Sequence, residues 1–464
     1  MSGFQNLIAK IKTAIQGGDF DFTKISLPKS IFLLATPMIL EMVMESLFAI
    51  VDIFFVGKLG ENAVSVVGLT ESVVFLVYAV GMGLSMAGTA LIARRIGEKK
   101  DKQAGDIAFQ LLVVGLSLSL IISIVGYIFA TDILKIMGGN DDVIAQGSSY
   151  TQTIFLGNTA ILLLFLLNGI FRGAGTAHLA MQTLILSNGL NIILDPIFIF
   201  GIGNWEGYGL QGAAIATTTG RSIGVLFQLY HLFGGKNRLK ISAQNMVLKI
   251  QTIWKIFKIS INGMGQFMMD SVAWLILTRI VAVFESEAIA TYTILVRILI
   301  FSLMPAWGLA GAAATLVGQN LGAKKVKRAE VAVYLTAKYN MIFLVIVSVI
   351  YFFGGKYLVG FFTQNQNVIE MAQNGLQIMV LGYIFFAVGM VMIQAFNGAG
   401  DTKTPLWINI FIFGCIEIPL AYLLAIPLDL KLNGVFISIT ISHSLHAVIA
   451  YILFKKGRWK KITV

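Results

Sequence analysis

The chain has 464 residues, of which 12% are charged and 57% hydrophobic, with a mean hydropathy of +0.83 and a formal net charge of +11. Soluble proteins carry about 25% charged residues. A surface this poor in ionic groups would not stay dissolved, so a cytosolic enzyme is excluded and lipid is the natural solvent of the chain.

In chain order, residues 1–29 lack the apolar stretch of a cleavable signal peptide. Phe4, Leu7, Ile8, Ile11 and Ile15 recur at helical spacing with Lys10 and Lys12 between them. That pattern predicts a short amphipathic helix on the cytoplasmic membrane interface. From Ile31 onward, apolar stretches long enough to span a bilayer, about 20 residues each, alternate with short polar breaks. They predict twelve spans, at 31–57, 66–93, 106–131, 146–171, 178–202, 209–233, 254–284, 289–317, 334–354, 368–396, 405–427 and 432–454.

Ionisable residues inside such spans are costly and usually functional. The first span holds Glu41, Glu45 and Asp52, which at about 100° per residue share one narrow stripe. Lipid cannot be what that stripe faces. The fifth span carries Asn191 and Asp195 on one face with Pro196 directly after; the proline removes a backbone donor and favours a kink. Span direction places Asp52, Asp195, Tyr150 of the fourth span and Thr217 of the sixth at similar depth, in the outer half of the first six helices. Two carboxylates, an amide, a hydroxyl and a phenol suit a hard monovalent cation or a shared proton, because neighbouring carboxylates disfavour joint ionisation.

The seventh span adds Asp270 and the eleventh Glu417, with Arg279 and Arg297 as candidate counter-ions. Met38, Met42, Met44, Met264, Met268 and Met269 surround the acidic positions of the first and seventh spans. Flexible thioethers make an adaptable wall, so Met38, Met42, Met264, Met268, Glu41, Glu45 and Asp270 are the expected substrate-cleft residues. His443 and His446 lie three apart on the last span. No third ligand accompanies them, and hydrogen-bonded core histidines are expected rather than a metal site. The single cysteine, Cys415, can form no intramolecular disulfide.

Of 34 lysines and arginines, 27 fall on the side of the N-terminus, four (Lys58, Lys135, Lys356, Lys431) on the other and three (Arg221, Arg279, Arg297) within spans. Retention of positive charge by the insertion machinery accounts for the basic excess, puts both termini in the cytoplasm and makes a nucleic-acid partner unnecessary.

The chain also matches itself at an offset of 225. Gly97-Glu-Lys-Lys-Asp-Lys-Gln-Ala meets Gly322-Ala-Lys-Lys-Val-Lys-Arg-Ala, Phe171-Arg-Gly-Ala-Gly-Thr meets Phe396-Asn-Gly-Ala-Gly-Asp, and Glu45 meets Asp270. The predicted fold is therefore an all-α polytopic membrane protein of two six-helix bundles, related by a pseudo-twofold axis along the membrane normal with a cleft between them. Its expected parts are an N-terminal segment 1–29, an N-lobe 30–235, a linker 236–252, a C-lobe 253–455 and a basic tail 456–464.

Asp52-Ile-Phe-Phe-Val-Gly-Lys-Leu-Gly, Asn191-Ile-Ile-Leu-Asp195-Pro-Ile-Phe-Ile-Phe-Gly, Gly212-Ala-Ala-Ile-Ala-Thr217 and the two Phe-x-Gly-Ala-Gly turns resemble the multidrug and toxic compound extrusion (MATE) transporters over nearly the whole chain. The resemblance implies export of cationic or amphiphilic organic compounds against protons or sodium, with an N-lobe cation site at Asp52, Asn191, Asp195, Thr217 and Tyr150. NorM-type members use a C-lobe site with an acidic residue on span 7 and an aspartate on span 10. Here Asp270 fills the first position but Phe386 stands at the second, so a DinF-type N-lobe site is expected. The expectation is a monomeric antiporter of the plasma membrane without cofactor or enzymatic activity. A flippase for lipid-linked saccharides is the alternative, but it would favour several cleft arginines for the phosphates.

Overall fold

The computed structural model describes residues 2–234 and 237–464, with side chains from Ile8 on. Phe4 and Leu7, named above, and the first residue of the linker 236–252 fall outside the described side chains. Helix α1 (Ser2–Gln16) precedes α2 (Leu27–Gly57), α3 (Glu61–Gly97), α4 (Asp101–Ile128), a short α5 (Ala130–Ile136), α6 (Asp141–Ala174), α7 (Ala177–Phe200) and α8 (Leu210–Phe233). The second half holds α9 (Ile250–Val281), α10 (Ser286–Gly322), α11 (Val326–Gly360), α12 (Gln366–Val380), α13 (Tyr383–Ala399), α14 (Lys403–Asn409), a π-helical stretch Ile410–Glu417, α15 (Ile418–Ala425) and α16 (Lys431–Lys455).

Among the described residues, eight helices are each long and apolar enough to cross a membrane, and α12 with α13 forms a ninth span bent by 54°. Helices α2, α8 and α9 complete the twelve, and each carries ionisable residues: Glu41, Glu45 and Asp52; Arg221; Asp270 and Arg279. Two predicted spans are irregular. The tenth breaks at Leu381–Gly382, and the eleventh winds through the π-helical stretch.

The 225-residue repeat is visible in the backbone. Helices α6 and α13 end on Gly175 and Gly400, at φ 86° and 87°, a left-handed cap that costs glycine nothing. The amide after each cap then bonds the carbonyl of the matching phenylalanine, Thr176 to Phe171 at 2.9 Å and Asp401 to Phe396 at 3.0 Å. In the equivalent loops Lys99 and Lys324 take φ 58° and 59°.

The same symmetry governs the seam between lobes. A Cβ on Gly83 would stand 2.9 Å from the amide nitrogen of Met264, and one on Gly308 would stand 2.8 Å from that of Ile39. These are repeat mates, since 308 − 83 and 264 − 39 both equal 225. Nearer the termini, a Cβ on Gly97 would meet the Gln319 carbonyl oxygen at 2.0 Å and one on Gly322 the Arg94 carbonyl oxygen at 2.2 Å. Helices α3 and α10 therefore cross backbone to backbone, and side chains of α10 also reach the end of α6. Thr315 Oγ1 donates to the Arg172 carbonyl at 2.9 Å and Gln319 Nε2 to that of Gly173 at 3.1 Å.

Polar straps reinforce this end. Arg94 and Arg95 donate to the carbonyls of Ile462 and Val464, while Lys325 and Arg328 hold Thr23, Phe22 and Ile25 of the segment before α2. Asp106 receives Lys249 Nζ at 2.5 Å and Asn245 Nδ2 at 2.7 Å, tying the interlobe connection to α4. The close approaches between lobes lie in this terminus-bearing half, whereas Leu47, Ile50 and Phe54 at the other end of α2 are exposed. The backbone-to-backbone contacts between lobes thus cluster toward the basic end. At the rim of that basic end, Ala14 of α1 is buried and Gln182 Nε2 of α7 bonds the Ile15 carbonyl at 3.1 Å, while Lys10 and Lys12 stay exposed.

Candidate functional site

Four helices of the N-lobe bring the predicted oxygen-rich residues together. On α7, Asn191 and Asp195 are one turn apart, and Asn191 Nδ2 donates to Asp195 Oδ1 at 3.0 Å and to Thr217 Oγ1 of α8 at 3.3 Å. Asp52 of α2 stands beside Thr217 and faces Asp195, and Tyr150 of α6 closes the group. All five are buried: Asp195 has no exposed surface and Asp52 only 8%. Two acceptors, Asp195 Oδ2 and Asn191 Oδ1, are enclosed without any hydrogen-bond partner. An orphaned buried acceptor carries a desolvation cost of about 1–3 kcal/mol. A proton on Asp195 would remove one of these costs; a sodium ion, a hard cation that oxygen ligands suit, would engage both acceptors along with Asp52. The residues fit either ion.

The remaining N-lobe carboxylates have different surroundings. Glu41 is buried and accepts from Asn168 Nδ2 at 3.1 Å and Arg172 Nη1 at 3.3 Å, in a network continued by Gln228 to Asn168 and Arg172 to Ser85. Glu45 is paired with Arg221 at 3.1 Å. The common stripe on α2 thus serves three distinct partners, and Glu41 and Glu45 are neutralised by arginines rather than left open as cleft residues. Met38 also departs from expectation: it is 1% exposed, wedged at the seam against Gly308 and Gly311. Met264 is likewise at the seam beside Gly83, whereas Met268 is 45% exposed and Met42 is half-buried.

Two site features escaped the sequence reading. Glu71 of α3 is exposed and lies within electrostatic reach of Asp52 and Arg221; its position within a predicted span was the available signal. The partners of the two arginines were not legible, because they lie 131 and 176 residues away in sequence.

In the C-lobe, Asp270 accepts from Asn409 Nδ2 at 3.0 Å, and Asn409 Oδ1 meets His446 Nε2 at 3.1 Å. Glu417 is 2% exposed, with Oε2 4.0 Å from His443 Nε2. Phe386 stacks on His443 with ring centroids 4.0 Å apart. Asn409 and Glu417 bracket the π-helical stretch, so this irregular turn faces the α16 histidines with polar groups at both ends. Arg279 and Arg297, expected as counter-ions, are exposed and form no ion pair with either carboxylate. Replacing Asn409 with leucine is expected to lower the thermal stability of the detergent-solubilised protein by about 1–3 kcal/mol, the cost of orphaning buried polar partners; unchanged melting would refute the network's structural weight.

Comparison with known proteins agrees with this architecture. The MatE family profile matches residues 37–197 and 264–423, one segment in each repeat half. Multidrug export protein MepA of Staphylococcus aureus is 26% identical over 436 residues, 93% of this chain and 94% of its own. The probable multidrug resistance protein NorM of Thermotoga maritima is 26% identical over 438 residues, 94% of each chain. Among solved structures, an outward-facing MATE family transporter superposes with a TM-score of 0.89 at 25% identity, covering 95% of this chain and 98% of that one. A transporter of the same superfamily from Pyrococcus furiosus, described as having a binding pocket of reversed polarity, gives 0.88 at 25% identity and the same coverage. With matched segments taking up most of both halves, the chain belongs to the MatE family of membrane transporters.

Proposed function

We propose that the protein is a secondary antiporter that exports cationic or amphiphilic organic compounds in exchange for protons or sodium by alternating access. The observation that carries this reading is the enclosed Asp52–Asn191–Asp195–Thr217 group with its two unpartnered acceptors. Ion binding there and substrate binding in the cleft need only favour different conformations to be coupled. The basic end, where the lobes meet backbone to backbone, is the cytoplasmic one by the distribution of lysine and arginine. The protein works in the plasma membrane as a monomer, with an N-lobe at 30–235, a linker at 236–252, a C-lobe at 253–455, and terminal segments 1–29 and 456–464 on the cytoplasmic face.

The experiment is uptake of a fluorescent organic cation into inside-out vesicles with proton and sodium gradients imposed separately. Accumulation driven by one gradient and abolished by dissipating it is the expected result. Movement of a lipid-linked saccharide without either gradient would favour the flippase reading. That reading is the weaker one because Arg221, the buried intramembrane arginine, is already held by Glu45.

A further inference from the structure

Arg221 lies one helical turn from Thr217 on α8, so the side chain that borders the ion group and the guanidinium sit on one face. The guanidinium is 2% exposed; Nη2 bonds Glu45 Oε1 at 3.1 Å, and the carbon of the guanidinium lies 4.6 Å from the ring centre of Phe48. Its Nε and Nη1 are buried and have no partner. Glu45, Phe48 and Asp52 follow one another along one face of α2 at helical spacing. The ionisable groups around Arg221 are Glu45 and Asp52 from α2, and Glu71 and Tyr78 from α3. Asp195 of α7 and Tyr150 of α6 lie beyond Asp52.

One permanent positive charge therefore stands between two carboxylates on the same helix, bonded to one and with two free donors. Arginine does not give up its proton, so only the carboxylates can change the balance. We propose that Arg221 is the coupling residue between ion and substrate, exchanging partners between Glu45 and Asp52. When Asp52 carries the ion it exerts no pull, and Arg221 neutralises Glu45, the pairing seen in the structure. An exported cation then has no carboxylate at that position and leaves. When Asp52 gives up the ion its charge draws the free Nε and Nη1 donors outward along α8, and Glu45 is released to hold an incoming organic cation. Phe48 supplies a flat aromatic face that either the guanidinium or an organic cation can occupy. Substrate and coupling ion thereby exclude one another through a single internal cation, with no direct contact between them.

The proposal rests on the antiport reading, and the test separates the two. Ethidium affinity of the purified full-length protein in nanodiscs is measured across proton and sodium concentrations. For the wild type, saturation by the coupling ion is expected to weaken ethidium binding by about 5- to 150-fold, the usual range of a coupling between sites. Arg221→Gln is expected to bind ethidium at least as tightly as the wild type and to lose that ion dependence to within about threefold, far short of a normal coupling factor. Arg221→Lys, which keeps the charge, is expected to restore part of it. Glu45→Gln, available if Arg221→Gln does not fold, is expected to bind weakly with or without the ion. An Arg221→Gln or Glu45→Gln protein that keeps the full wild-type ion dependence overturns the switch. A wild type indifferent to both ions overturns the antiport reading itself.

Discussion

Asp52→Asn abolishes gradient-driven export of an organic cation while the variant inserts and purifies like the wild type, and Asp195→Asn does the same. The amide keeps the size of the carboxyl and its place beside Thr217, so packing is preserved. It can neither accept a proton nor neutralise a sodium ion, so the only property removed is the one coupling needs. Asp195 is equally placed, since its Oδ2 is one of the two orphaned acceptors. Asp270→Asn is the informative contrast. Its carboxyl is tied to Asn409 rather than to the N-lobe group, and export should persist. The measurement is dye flux in proteoliposomes at matched protein content; wild-type flux in Asp52→Asn would remove the N-lobe group from the mechanism.

Gly97→Leu, the second large effect, prevents the basic end from sealing. A Cβ there would lie 2.0 Å from the backbone oxygen of Gln319, and backbone cannot step aside as a flexible side chain can. Overpacking costs about 1–3 kcal/mol in ordinary cores, which is a factor of about 5 to 150 in a two-state equilibrium. The penalty falls only on the conformation that closes this seam, so the population shifts toward opening at the terminus-bearing side. Gly322→Leu, at the mate position, should act alike. Gly68→Ala, whose added carbon meets nothing within 4 Å, should be neutral. Labelling of a cysteine placed at Thr315, in a Cys415→Ser background, by an impermeant maleimide reports the opening. Unchanged labelling together with unchanged transport in Gly97→Leu would show that the seam tolerates the insertion.

The spans and their order were legible because apolar length and the offset of 225 are properties of the chain itself. The Asp52, Asn191, Asp195 and Thr217 group was legible too, since each is a polar residue where lipid would forbid one, and helical direction fixes depth. What the chain could not disclose was pairing. Glu41 and Glu45 look as available as Asp52 until Arg172 and Arg221 are brought across from other helices. Met38 reads as a cleft methionine until α10 offers two glycines for it to fill against. The 54° break before α13 likewise has no proline at Leu381–Gly382 to announce it, whereas Pro419, which cannot donate to the Cys415 carbonyl, is a local signal for the irregular winding of Ile410–Glu417.

The seam of matched glycines has an evolutionary consequence. Gly83 meets Met264 while Gly308 meets Ile39, so each contact and its reciprocal use the same pair of equivalent positions. That is the rule of an isologous interface, the kind a twofold homodimer makes with itself. The single chain retains the contact geometry of two identical six-helix subunits inserted in parallel. A single chain then lets one half keep an enclosed carboxylate pair at Asp52 and Asp195 while the other sets Asp270 against Asn409 and Glu417 beside His443, a division of labour closed to a true homodimer.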